Sequence, residues 1–151
     1  MYQARDVMNT KVVTVASDAT INETIELLLG NHISGAPVVD SKGNLVGVIS
    51  EFQLLETIFD PSVRSEKVGD LMTRSVITVH EETLLADVAT LFIKHRIRRL
   101  PVLDNGRLVG IISRSSLLRY VVQSGDKIVH YLNDVKSFAE SHAAELESVA
   151  D

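Results

Sequence analysis

DVMNTKVVTV, Asp6 to Val15, returns as DLMTRSVITV, Asp70 to Val79, and the reading of the whole chain turns on this echo. The register runs without a gap from Asp6–Asp40 against Asp70–Asp104. After one skipped residue it resumes with GNLVGVISEFQLL (Gly43–Leu55) against GRLVGIISRSSLL (Gly106–Leu118). Eighteen of these 48 positions are identical, where unrelated chains of average composition agree at roughly one in fifteen. The chain is an internal duplication. Its period of about 64 residues exceeds the roughly 20–50 of solenoid units, so each copy is a larger supersecondary unit that needs the other to cover its apolar face.

Within a copy, VVTV has the alternation of a short strand, and Thr20 with Glu23 three residues on forms a capping box for a helix. Ile21, Ile25, Leu28 and Leu29 recur at helical spacing, as do Leu85, Ala89, Phe92 and Ile93 in the second copy. APVVD (Ala36–Asp40), a turn with Gly43, and NLVGVIS (Asn44–Ser50) read as a hairpin; the second copy repeats it as LPVLDNGRLVGIIS with an Asn105-Gly106 turn. Ser50 and Ser113 stand at the N-cap of a second helix, ahead of Leu54, Leu55 and Ile58 or of Leu117, Leu118 and Val121. The expected fold class is α+β: two β-α-β-β-α repeats, residues 1–61 and 62–124, packed as a pseudo-twofold pair. Asp60–Lys67 reads as a polar connector. Residues 125–151 form a C-terminal helical tail, with Ile128, Leu132, Val135, Ala139, His142, Leu146 and Val149 making an apolar stripe. Such a tail either folds back on its own module or joins a dimer contact.

The composition suits this. The 151 residues are 45% apolar and 23% charged, enough for one core or two small lobes sharing one, and with only 5% aromatics that core is Val, Ile and Leu. Without cysteine there is no disulfide or thiol chemistry. No basic leader with an apolar region stands at the N-terminus and no apolar run is long enough to span a bilayer, so no membrane association and a cytoplasmic location are expected. A net charge of −5 argues against general binding of nucleic acid. The five histidines (32, 80, 95, 130, 142) lack metal-ligand spacing, and no nucleophile motif or P-loop is present.

Taken in order and in both copies, DVM and DLM, SGAPVVD and RRLPVLD, and GVIS and GIIS resemble two CBS (cystathionine beta-synthase) domains. The chain is thus similar, from Ala4 to about Val122, to a free-standing tandem pair, or Bateman module. The resemblance implies a regulatory module, not an enzyme. It requires no cofactor, and it binds an adenine nucleotide or adenosyl compound (AMP, ADP, ATP or S-adenosylmethionine) in clefts between the copies. It also implies association as a homodimer and signalling to a separate, unidentified effector protein or through oligomerisation. A scaffold that keeps the fold without the ligand is the alternative.

By position in the family's motifs, one cleft takes Met72, Ile77, Arg98, Arg99, Leu100, Pro101, Ser113, Arg114 and Ser116. A second, weaker one takes Met8, Val13, Ser34, Gly35, Ala36, Pro37, Ser50 and Gln53. Charge separates them. From Lys94 to Arg119 there are seven Lys and Arg against Asp104 alone, whereas Asn31–Glu56 holds Lys42 against Asp40, Glu51 and Glu56. A cation directly after a helix N-cap, as in Arg114, is unfavourable toward the helix dipole and makes sense beside an anion. Arg98 and Arg99 can offer planar, two-pronged hydrogen bonds to phosphate, which Ser34 and Gly35 cannot. The chain departs from the family in one place. Gln53 and Ser116 replace the aspartate that accepts hydrogen bonds from ribose, and either can still hydrogen-bond to a hydroxyl without supplying a charged acceptor.

Overall fold

A computed structural model describes residues 2–125 and residue 133. The helix expected over 125–151 therefore lies outside the described residues, apart from those two positions. The described chain forms β1 (Val15–Ala16), α1 (Ile21–Gly30), β2 (Gly35–Val39), β3 (Leu45–Ser50), α2 (Glu51–Leu55), β4 (Val79–His80), α3 (Leu85–His95), β5 (Arg99–Asp104), β6 (Arg107–Ser113) and α4 (Arg114–Ser124). The fold is α+β. Each repeat carries one three-stranded sheet, in the order β1-β2-β3 or β4-β5-β6. β1 runs parallel to β2, and β2 antiparallel to β3.

The first strand of each copy is shorter than the VVTV alternation suggests, because only Val15 and Ala16 pair with β2. Val12 and Val13 precede it outside any strand. The polar connector is not plain coil. Pro61–Ser65 winds into a 3-10 turn capped by Asp60, whose side chain accepts from the Ser62 N–H, with proline at the position where a missing donor costs nothing. α1 begins where expected, with Thr20 Oγ1 accepting from the Glu23 N–H at 3.0 Å. α3 ends after Lys94 and His95 on a left-handed Arg96 (φ 51°).

The described residues divide in space into two compact units. One comprises residues 2–11, 77–105 and 109–125; the other comprises 12–76 and 106–108. Each repeat is thus completed by the short segment that precedes the other repeat in the chain. In the second-repeat unit, the Ala4 N–H donates to Thr83 O (2.8 Å) and the Leu85 N–H to Tyr2 O (2.9 Å). Ala4, fully buried, joins Val79, Leu85, Val88, Leu100, Val102 and Ile112 in the core. In the first-repeat unit, the Val68 N–H donates to Ala19 O (2.8 Å) and Val68 takes the place of Ala4 in a core of Val15, Ile21, Leu28, Val38 and Ile49.

The helical stripes are only partly used in these cores. Ile21, Leu28, Leu85 and Phe92 are buried, but Leu29 is 62% exposed and Ile93 67%. Leu54 and Leu117 are buried while Leu55, Ile58 and Leu118 are exposed. Among the described residues no helix is long and apolar enough to cross a membrane.

Candidate functional site

In the second-repeat unit, β6 runs into α4 at Ser113, and the junction is closed by hydroxyls. Ser113 Oγ accepts from the Ser116 N–H at 3.1 Å, and Ser116 Oγ accepts from the Ser113 N–H at 2.9 Å while donating to Ser113 O at 2.9 Å. This is a reciprocal capping box in which serine does what glutamate or glutamine more often does. The Arg114 N–H, first in the helix, donates to Arg98 O at 3.2 Å. That bond ties the start of α4 to the residue entering β5. Arg98 and Arg114 are exposed, Arg99 is half-buried at the first position of β5, and Leu100 and Pro101 are buried beneath them. Ile77 packs against the same core from the segment before β4. Three arginines therefore stand by backbone position at one strand-helix junction, with the Arg114 side chain lining the space between α3 and α4, and the N–H ends of α4 add positive potential there. Sequence reading passes over Ser115, whose Oγ lies 3.0 Å from that of Ser113. The Ser-Arg-Ser-Ser run was its only signal.

The first-repeat junction has the same backbone and a different chemistry. The Glu51 N–H donates to Ser34 O at 2.9 Å, matching Arg114 to Arg98. Gly35 opens β2 opposite Ser50. Gly35, Ala36 and Pro37 are buried, Ser34 and Val13 half-buried. Gln53 is fully engaged: its Oε1 accepts from the Ser50 N–H (3.1 Å), and its Nε2 donates to Thr73 Oγ1 (2.9 Å) and Leu71 O (3.3 Å). Glu51 puts a carboxylate where the other junction has Arg114.

The structure distributes the two methionines across the repeats. Met72 lies against Gly47 in the first-repeat unit, and a Cβ built on Gly47 would stand 2.6 Å from Met72 Sδ and 2.7 Å from Thr73 O. Met8 lies against Gly110 in the second-repeat unit, 2.6 Å from a Cβ built there. Met8 therefore accompanies Ile77, Arg98–Pro101 and Ser113–Ser116, and Met72 accompanies Val13, Ser34–Pro37, Ser50 and Gln53. By motif position Met72 is grouped with Ile77 and Arg98–Pro101, and Met8 with Val13 and Ser34–Pro37.

The family profile described as the CBS domain matches residues 4–60 and 68–123. The chain is 36% identical, in an alignment 145 positions long that covers 75% of this chain, to the chloroplastic CBS domain-containing protein CBSX1 of Arabidopsis thaliana, and spans 61% of that protein. For that relative and three others of comparable similarity, the chain spans between 38% and 61% of their length. Among solved structures, CBSX2 in complex with AMP is 33% identical with a TM-score of 0.76, the match covering 83% of this chain and 100% of that one. The CBS domain pair of MJ0100, in complex with 5-methylthioadenosine and S-adenosyl-L-methionine, is 29% identical with a TM-score of 0.67, covering 80% of this chain and 95% of that one.

Proposed function

This chain belongs to the CBS domain family, and on that premise we propose that it is a regulatory module that senses an adenine nucleotide or adenosyl compound, with the second repeat holding the ligand's charged end. The observation that carries the proposal is that Arg98, Arg99 and Arg114 all stand, by backbone position, at one capped strand-helix junction. Its counterpart holds Ser34, Gly35 and Glu51. A phosphate or carboxylate is favoured at the first and repelled at the second. The AMP complex of CBSX2 and the adenosyl complex of MJ0100 support the ligand class.

In this reading Arg98 and Arg99 offer paired donors to the anion, and Arg114 supplies a third positive charge at the helix start. Leu100 and Pro101, with Ile77, give the apolar surface for a purine. Ser116 reaches a ribose hydroxyl only by giving up part of its capping box. The module performs no reaction. Ligand occupancy shifts the population between arrangements, which it can do only by binding one of them more tightly. The output goes, in the cytoplasm, to a homodimer partner or a separate effector protein. The first repeat is better read as scaffold, since Gln53 has no donor or acceptor to spare without breaking its bonds to Ser50, Thr73 and Leu71.

Titration calorimetry on ligand-free protein with AMP, ATP and S-adenosylmethionine tests the reading. Binding of one of them is expected. Arg98→Ala with Arg99→Ala should weaken it by a factor on the order of 10–100, as loss of a charge-assisted hydrogen bond implies. Absence of heat with all three compounds overturns the proposal.

A further inference from the structure

Both repeats hold a short segment against their last strand by a double backbone bridge, and only one of them reinforces it with a side chain. In the first-repeat unit Val48 and Thr73 exchange hydrogen bonds, each N–H donating to the other's O at 2.9 Å. In the second-repeat unit Ile111 and Asn9 do the same, at 3.0 and 2.8 Å. The methionine before each bridge lies against a glycine, Met72 against Gly47 and Met8 against Gly110. Residues 71–73 and 7–9 are therefore equivalent supports, each inside its own unit. Gln53 spans from α2 to the first of them. Its Nε2 donates to Thr73 Oγ1 at 2.9 Å and to Leu71 O at 3.3 Å, while its Oε1 accepts from the Ser50 N–H in the capping box. At the matching place in α4 stands the shorter Ser116, and every hydrogen bond of its side chain is with Ser113. Among the described residues none joins Ser116 to Val7 or Asn9, the counterparts of Leu71 and Thr73.

We propose that Gln53 fills the first repeat's ligand position from within and is the residue that restricts the module to one ligand per chain, held at the second repeat, where Ser116 leaves the matching space open. The proposal rests on the reading of the chain as an adenosyl sensor. A nucleoside would bring hydroxyl and amine donors, and at the first repeat the acceptors within reach, Leu71 O and Thr73 Oγ1, already bind a donor carried by the chain itself. A donor tethered in the same fold competes without the translational and rotational loss that a free ligand incurs. Charge alone does not account for the restriction, because Glu51 repels a phosphate but not an uncharged nucleoside. The capping box closes with glutamine at Ser50 and with serine at Ser113, so exchanging the two side chains leaves both caps in place and changes only the span to the supporting segment.

Adenosine, which carries no phosphate, isolates this effect. Its binding is followed by proton–nitrogen NMR titration of the full chain and of the Gln53→Ser and Ser116→Gln variants. The amides of Gly35 and Ser50 report on the first repeat, and those of Arg99 and Ser113 on the second. In the parent only the second-repeat amides should shift. Gln53→Ser should add saturable shifts at Gly35 and Ser50, and Ser116→Gln should abolish those at Arg99 and Ser113. First-repeat shifts in the parent overturn the proposal, as do unmoved Gly35 and Ser50 in a natively dispersed Gln53→Ser spectrum. If Gln53→Ser loses the native spectrum, Ser116→Gln decides: second-repeat shifts that persist in it overturn the proposal. A parent that shifts nowhere with adenosine and gives no heat with AMP, ATP or S-adenosylmethionine removes the sensing reading instead. First-repeat shifts that appear only in Gln53→Ser would even then uphold the obstruction by Gln53, and their absence would overturn it.

Discussion

Gly47 and Gly110 show how much a single missing Cβ decides. At Gly47 the obstruction is the Met72 thioether and the Thr73 carbonyl, the latter fixed by its hydrogen bond from the Val48 N–H at 2.9 Å. A flexible methionine can yield, but the backbone cannot. Gly47→Ala should therefore lower unfolding free energy by about 1–3 kcal/mol, the range for overpacking. Gly30→Ala, at the end of α1 with nothing within 4 Å, should be neutral or gain about 0.5–1 kcal/mol. Urea denaturation of the two variants side by side checks the contrast. Asp40 is a second residue with a readable consequence. Hydrogen bonds from the Asn44 and Lys42 backbone N–H groups hold its carboxyl below its ordinary pKa. A depressed acid contributes stability that is complete above the unfolded value of about 3.9. That contribution is lost as pH falls through the lower folded value. Asp40→Asn should flatten this part of the acid limb of stability against pH and leave the profile above pH 5 parallel to the parent.

At the scale of the element, helix starts carry the argument. Ser50 and Ser113 cap α2 and α4 through reciprocal boxes, and Thr20 caps α1, while Leu84 before α3 makes no side-chain cap bond. Ser113→Ala should cost about 1 kcal/mol in ligand-free protein, the usual worth of an N-cap. A thermal melt without nucleotide reads this directly. A hydroxyl kept solely for a ligand would leave that melt unchanged. The two junctions were legible in sequence because serine before an apolar-periodic run is a local signal. The commitment of Gln53 to Leu71 and Thr73 was not, because those partners stand 18 and 20 residues away.

For the whole molecule, the telling feature is that each repeat's core is closed by the other's leading segment. Ala4, buried in the core with Leu85 and Ile112, makes this testable. Ala4→Asp buries a carboxylate without a partner, at a cost on the order of several kcal/mol. Amides of β5 and β6 should then exchange faster with deuterium, while those of β2 and β3 keep their protection. The reverse order would mean that the segment serves its own repeat. The duplication, the order of elements, the capped junctions and the charge contrast between Arg114 and Glu51 were all determined by sequence alone, since each rests on residues close together or on direct comparison of the copies. Which methionine meets which glycine was decided only by tertiary structure. Met8 matches Met72 and Gly47 matches Gly110 so closely that local preference cannot distinguish own-repeat from exchanged pairing. The choice falls to chain connectivity and to which core each segment can reach.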